Sequence, residues 1–183
     1  MDKETLIRRL ALEPHVEGGY YRRVYESEVR LPEGARSASA IYYLLGAEEC
    51  SRLHRVGRDE LWCWHGGRSL DLWFVGEEGV STRRLGPDVE AGESPQVLAP
   101  GDLVFGALPA PGPGEDCTLV TCVVTPEFTR EAYHLLPAAE AAALVERWSL
   151  PAAFLVKEER EGGRCTNGWA SGSGSFWALP CSP

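Results

Sequence analysis

His54 and Glu60 stand six residues apart, and the glycine pair Gly66-Gly67 follows soon after a short aromatic stretch. On neighbouring β-strands this spacing lets an imidazole and a carboxylate face one cavity. Away from water, such a pair shifts the pKa of each partner and can act as base and acid. Proton abstraction beside a carbonyl, as in an epimerase or isomerase, needs that pair and a tyrosine or arginine to steady the enolate. Tyr20, Arg22, Tyr42 and Arg55 are of the right type to bind and steady such a ligand. An internal ion pair that only organises the fold explains His54 and Glu60 equally well.

Strand alternation puts Glu60, Trp62 and Trp64 on one face and Leu61, Cys63 and His65 on the other. Trp62 is therefore assigned to the pocket wall beside Glu60, where an indole can stack on a flat ligand. Trp64 and Trp73 are read as core filling. Glu17-Gly18-Gly19-Tyr20 is either a loop that approaches a ligand closely or the turn between a helix and a strand, and the turn is preferred. His15 and His134 are read as surface or structural residues. Cys122 lies in an apolar strand with no base beside it, so it is read as a small buried hydrophobe.

The elements that must hold these residues follow from periodicity. Leu6, Ile7 and Leu10 share one face of a helix over residues 3–12, which Pro14 is expected to end. Strands are expected at 20–25, 38–45, 51–56, 60–65, 68–75, 80–85, 96–99, 103–108 and 118–125. Gly66-Gly67 is read as the turn of a hairpin. Many short strands with turns between them indicate a sandwich or barrel. Residues 137–148 switch to a helical Ala/Glu-rich pattern. The expected organisation is an N-terminal helix (1–14), a β-barrel domain (15–136), a C-terminal helix (137–150) and a loose tail (151–183).

With 183 residues the chain can bury a real core. Its net charge of -9 and pI near 5.0 argue against a phosphate-backbone partner, so no nucleic acid is expected. There is no apolar run long enough for a spanning helix, and Met1-Asp2-Lys3-Glu4 is no apolar signal core. No membrane partner is expected, and the expected location is cytoplasmic. The six cysteines are then expected to be reduced thiols.

Several segments together resemble the cupin superfamily, and in particular a branch of unknown function. They are Pro14-His15-Val16-Glu17-Gly18-Gly19-Tyr20-Tyr21-Arg22, Ile41-Tyr42-Tyr43-Leu44-Leu45, Ser51-Arg52-Leu53-His54-Arg55-Val56 with Asp59-Glu60-Leu61-Trp62, and Thr121-Cys122-Val123-Val124-Thr125-Pro126-Glu127-Phe128. In the first cupin signature His54, Val56, Glu60 and Gly67 take the places of two histidines, a glutamate and a glycine. In the second, Pro100-Gly101-Asp102 is similar in role but one residue out of register, and Val104 falls where a histidine would stand. Cys63 and Glu127 depart from the branch, where a histidine and a glycine are common.

The resemblance implies an all-β jelly-roll barrel with flanking N- and C-terminal helices. A complete cupin metal site supplies three imidazoles and a carboxylate. Only His54 and Glu60 remain of it, so no cofactor is expected, and a divalent metal, if present, would have those two ligands. The expected function is binding of a small polar or sugar-like ligand, with metal-independent isomerase chemistry by His54 and Glu60. The alternatives are a binding or storage-type module without turnover and a metal-dependent cupin enzyme. Exposed strand edges lead to the expectation of a homodimer.

Overall fold

The computed structural model describes residues 2–112 and 115–155. Its first element, α1 (Lys3–Leu10), starts where the Asp2 carboxylate accepts a hydrogen bond from the Thr5 N–H at 2.9 Å. Glu4 in the first turn and Arg8 and Arg9 in the last complement the helix dipole. The helix stops at Ala11, which adopts a left-handed conformation, φ 50°. Pro14 is not the stop signal expected from the sequence, because it lies in the next strand. Leu6, Ile7 and Leu10 pack on Leu12, Leu44 and Cys117 at the outside of the sheet.

Eleven strands follow among the described residues: β1 (Glu13–Pro14), β2 (Tyr20–Glu26), β3 (Ser39–Gly46), β4 (Ser51–Arg55), β5 (Asp59–Gly67), β6 (Leu70–Val75), β7 (Val80–Leu85), β8 (Gln96–Ala99), β9 (Val104–Pro109), β10 (Cys117–Thr125) and β11 (His134–Leu135). They form two antiparallel sheets, ordered β1-β2-β3-β10-β5-β8 and β11-β4-β9-β6-β7. This is the all-β jelly-roll with flanking helices that the resemblance implies. The main core lies between the sheets, around Tyr43, Leu72, Phe74, Phe105, Val120 and Trp62.

Gly66-Gly67 does not form the hairpin turn. Both residues belong to the end of β5, beside a register shift against β10 between Leu119 and Val120. Gly67 has φ 91°, and a Cβ there would strike the Cys117 carbonyl oxygen. Gly67 is needed for that close approach of two backbones. The chain turns at Arg68 and Ser69, where β6 begins.

After the sheets, α2 (Ala138–Trp148) closes with Ser149 in the left-handed region, φ 52°. Its inner side joins Leu53, Leu136, Leu150 and Phe154 in a second apolar cluster. Phe154, in a short 3-10 turn over Ala152–Phe154, is 2% exposed and seals this cluster. That turn falls within the tail expected from the sequence to be loose. The rest of that tail, with Trp169, Phe176 and Trp177, lies outside the described residues.

Candidate functional site

A cavity of about 620 Å³ lies between the loop that follows β1, the inner face of β2-β3-β10-β5 and the segment after β10. Its position follows from the Glu17 loop. Gly18 takes φ 110°, and a Cβ there would meet the Cys50 carbonyl oxygen. The loop therefore presses onto the start of β4. Tyr43 Oη donates to the Gly18 carbonyl at 2.8 Å, and the Arg52 N–H donates to the Glu17 carbonyl at 3.0 Å. Thus clamped, Glu17 is buried, and Ser51 Oγ donates to its carboxylate at 2.9 Å.

Alternation along β5 aims Glu60 and Trp62 into the same cavity, opposite Val124 and Cys122 of β10. Glu60 is buried, and its Oε2 makes no close hydrogen bond; the same is true of Trp62 Nε1 and Tyr133 Oη. Burial, and then the negative charge of Glu17, push the Glu60 carboxyl up to about 8, while hydrogen-bonding contacts with Trp62 and Cys122 pull the other way. Burial likewise raises the Tyr133 hydroxyl, with help from the Glu17 charge. The Cys122 thiol is held protonated by burial and the Glu60 charge.

His15 also faces the cavity, edge-on to the rings of Tyr21 (4.6 Å between centroids) and Tyr43 (5.4 Å). Burial lowers its pKa. Its Nδ1 accepts from the Glu17 N–H at 3.4 Å, so the neutral ring carries its proton on Nε2. Phe128, Arg23 and Arg130 complete the wall toward solvent.

Of the residues singled out from sequence, Glu60 and Trp62 line this cavity. His54 does not. It is 1% exposed, packed against Phe105 (4.3 Å between ring centroids) and Tyr133 (5.8 Å). Its Nδ1 lies 2.6 Å from the Arg52 carbonyl oxygen and 3.6 Å from Glu17 Oε2. Its carboxylate neighbour is therefore Glu17, in place of the expected Glu60. Tyr20 and Tyr42 lie on the opposite face of their sheet, against the α1 cluster, while Arg22 and Arg55 are exposed. The pairing Tyr21↔Tyr43 turns the neighbouring residue of each doublet inward, so Tyr21, Arg23 and Tyr43 take the expected places.

His15 and Glu17 were assigned other roles by sequence reasoning, and Tyr133 none. The signal for Glu17 was present in Gly18-Gly19, two glycines that allow a carboxylate-bearing loop to press on a strand. Nothing in the residue types marks Tyr133, which follows the last long strand in an irregular segment.

The sequence pattern described as Cupin superfamily (DUF985) matches residues 4–136. The chain belongs to this family. Two solved structures resemble the chain over nearly their whole length. One is a protein of Shewanella oneidensis, 36% identical, with a TM-score of 0.74 over 80% of this chain and 92% of that one. The other is a hypothetical protein from Leishmania major, 32% identical, with a TM-score of 0.70 over 83% of this chain and 95% of that one. A mutant oxalate decarboxylase of Bacillus subtilis shares the fold at 16% identity and a TM-score of 0.51, with 75% of this chain matched to 34% of that one. No curated protein matches.

The metal of a complete cupin site does not fit the residues of this cupin. Among the described residues no three or more His, Cys, Asp or Glu side chains are grouped to hold an ion. Val56 and Val104, at two of the four ligand positions, carry no donor atom. Among the described residues no helix is long and apolar enough to cross a membrane.

Proposed function

We propose that this cupin binds a small polar molecule in the cavity over the inner face of β2-β3-β10-β5 and that Glu60 exchanges a proton with it, as in a metal-independent isomerase or epimerase. The supporting observation is a buried carboxyl with an unpartnered oxygen in the wall of a cavity large enough for a metabolite. With a pKa of about 8, both of its forms are populated near neutral pH, as a general base and acid require. The ionised form takes a proton from a carbon beside a carbonyl. The unpartnered Trp62 N–H and Tyr133 O–H are the groups available to hold the developing oxyanion. His15, with its proton on Nε2, stands on the same wall as a second proton carrier.

A second reading is binding without turnover. The placement of His54 favours it, since the imidazole expected to complete the acid–base pair does not line the cavity. The two readings part in heavy water. A panel of aldoses, ketoses, keto acids and cyclic amides is first screened for a rise in Tm, and each binder is then incubated in D2O and followed by proton NMR. Solvent deuterium entering beside a carbonyl, and lost in Glu60→Gln, supports proton transfer. A rise in Tm without exchange supports the binder, and no rise with any compound overturns both.

A further inference from the structure

We infer that the ligand of this cavity is a flat, uncharged nitrogen heterocycle whose edge sets a hydrogen-bond acceptor beside an N–H donor, as a cyclic amide or amidine does. The inference rests on the reading of the cavity as a binding site. It names the chemical class that the walls select.

Three polar atoms of wall residues, Glu60 Oε2, Trp62 Nε1 and Tyr133 Oη, make no close hydrogen bond, and only longer contacts link Trp62 to Glu60 and Tyr133 to Glu17. Glu60 and Trp62 are 6% and 1% exposed, so a closer partner for them has to enter the cavity. The indole N–H only donates, and the carboxyl keeps an accepting oxygen whether or not it holds its proton, so an acceptor next to a donor satisfies both. The two residues lie two apart on one face of β5, which sets them side by side. Tyr133 can serve either role.

Around these atoms the lining is flat or aliphatic. Tyr21, Tyr43 and Phe128 supply rings, and Ile41, Val56 and Val124 supply apolar surface. A planar ring buries both faces on such walls and needs polar partners only at its edge. A sugar ring would turn hydroxyl groups toward these apolar walls, and each one left without a partner is costly to bury.

Charge points the same way. The carboxyl groups of Glu13, Glu17, Glu26 and Glu60 line the cavity with the guanidinium groups of Arg23 and Arg130. Arg23 Nη1 already donates to Glu26 at 2.8 Å, and Arg130 is engaged as well. A phosphate ester would have to compete with these contacts and with the four carboxyl groups of the lining. The cavity, about 620 Å³, has room for a ring system with a substituent reaching toward the exposed Val16.

Isothermal titration calorimetry of the whole chain at neutral pH tests this with uracil, hypoxanthine and adenine. N,N-dimethyluracil serves as the ring without N–H groups, and glucose and its phosphate ester as sugar arms. We expect at least one of the three heterocycles to bind, and N,N-dimethyluracil to bind about tenfold or more weaker than uracil. Trp62→Phe, which keeps the ring and removes the N–H, and Glu60→Gln should each weaken the bound heterocycle about tenfold or more. If Trp62→Phe fails to fold, the methylated probe and Glu60→Gln decide. Binding that is indifferent to both overturns the inference. Binding of glucose or its phosphate alone, lost in Glu60→Gln, overturns it while the proposed binding function stands. No binding of any probe counts against both.

Discussion

A carboxyl group without a partner between two sheets works against the fold whenever it ionises. For Glu60 the consequence can be signed. Its pKa rises from 4.5 to about 8 in the folded chain, so between those values the folded state holds a proton that the unfolded state has released. Stability is then fully present below about pH 4.5 and is lost as pH rises toward about 8. The slope from this one group approaches about 1.4 kcal/mol per pH unit in that window. Glu60→Gln should remove that part of the slope, leaving the variant more stable than the parent at pH 8 and close to it at pH 5. Urea unfolding at the two pH values measures this, and equal slopes in parent and variant would show that Glu60 does not carry it. At this scale the sequence was half legible. Glu60 and Trp62 could be placed from strand alternation and the cupin resemblance. Tyr20-Tyr21, Arg22-Arg23 and Tyr42-Tyr43 could not, because each doublet repeats one residue type and hides which member faces inward. Only the register, Tyr21 against Tyr43, resolves it.

The loop that carries His15 and Glu17 is the element on which the site depends. It is held by the Gly18 backbone in a region that other residues avoid and by contact with the β4 start. Gly18→Ala should cost about 1–3 kcal/mol from backbone strain alone. It should also loosen Glu17 from Ser51 and so weaken any cavity ligand more than the loss of stability explains. Thermal unfolding and ligand titration of the variant check this, and a variant with parental Tm and affinity would show that the loop tolerates a side chain. The long strands were legible because their apolar runs are punctuated by Pro and Gly. The two-residue strands β1 and β11 were not, since so short a pairing is imposed by the neighbouring strand and leaves no period in the sequence. The Gly66-Gly67 pair misled for a physical reason: glycine serves a tight turn and a close backbone approach alike, and here the approach to Cys117 decides.

On the scale of the whole molecule, the jelly roll closes two sheets over one core, and the loop after β1 and the segment after β10 roof the cavity over the inner face of the first sheet. Short strands and their turns were legible as a sandwich or barrel, and the cupin resemblance narrowed that to the jelly roll. The cavity's contents were less legible, since they depend on three segments far apart in the chain that meet only when the sheets close: residues 13–17, Glu60 with Trp62, and residues 122–133. The net charge of -9 adds to the local effect, because a surplus of carboxylates makes one more ionisation inside harder. The most direct test is the titration of Glu60 itself in the intact chain, followed by carbon NMR of its labelled carboxyl and assigned by its loss in Glu60→Gln. The expected midpoint lies near 8, far above the surface glutamates. A midpoint in the ordinary glutamate range, near 4.5, would contradict the view of Glu60 as a buried, unpartnered group poised to exchange a proton with a ligand.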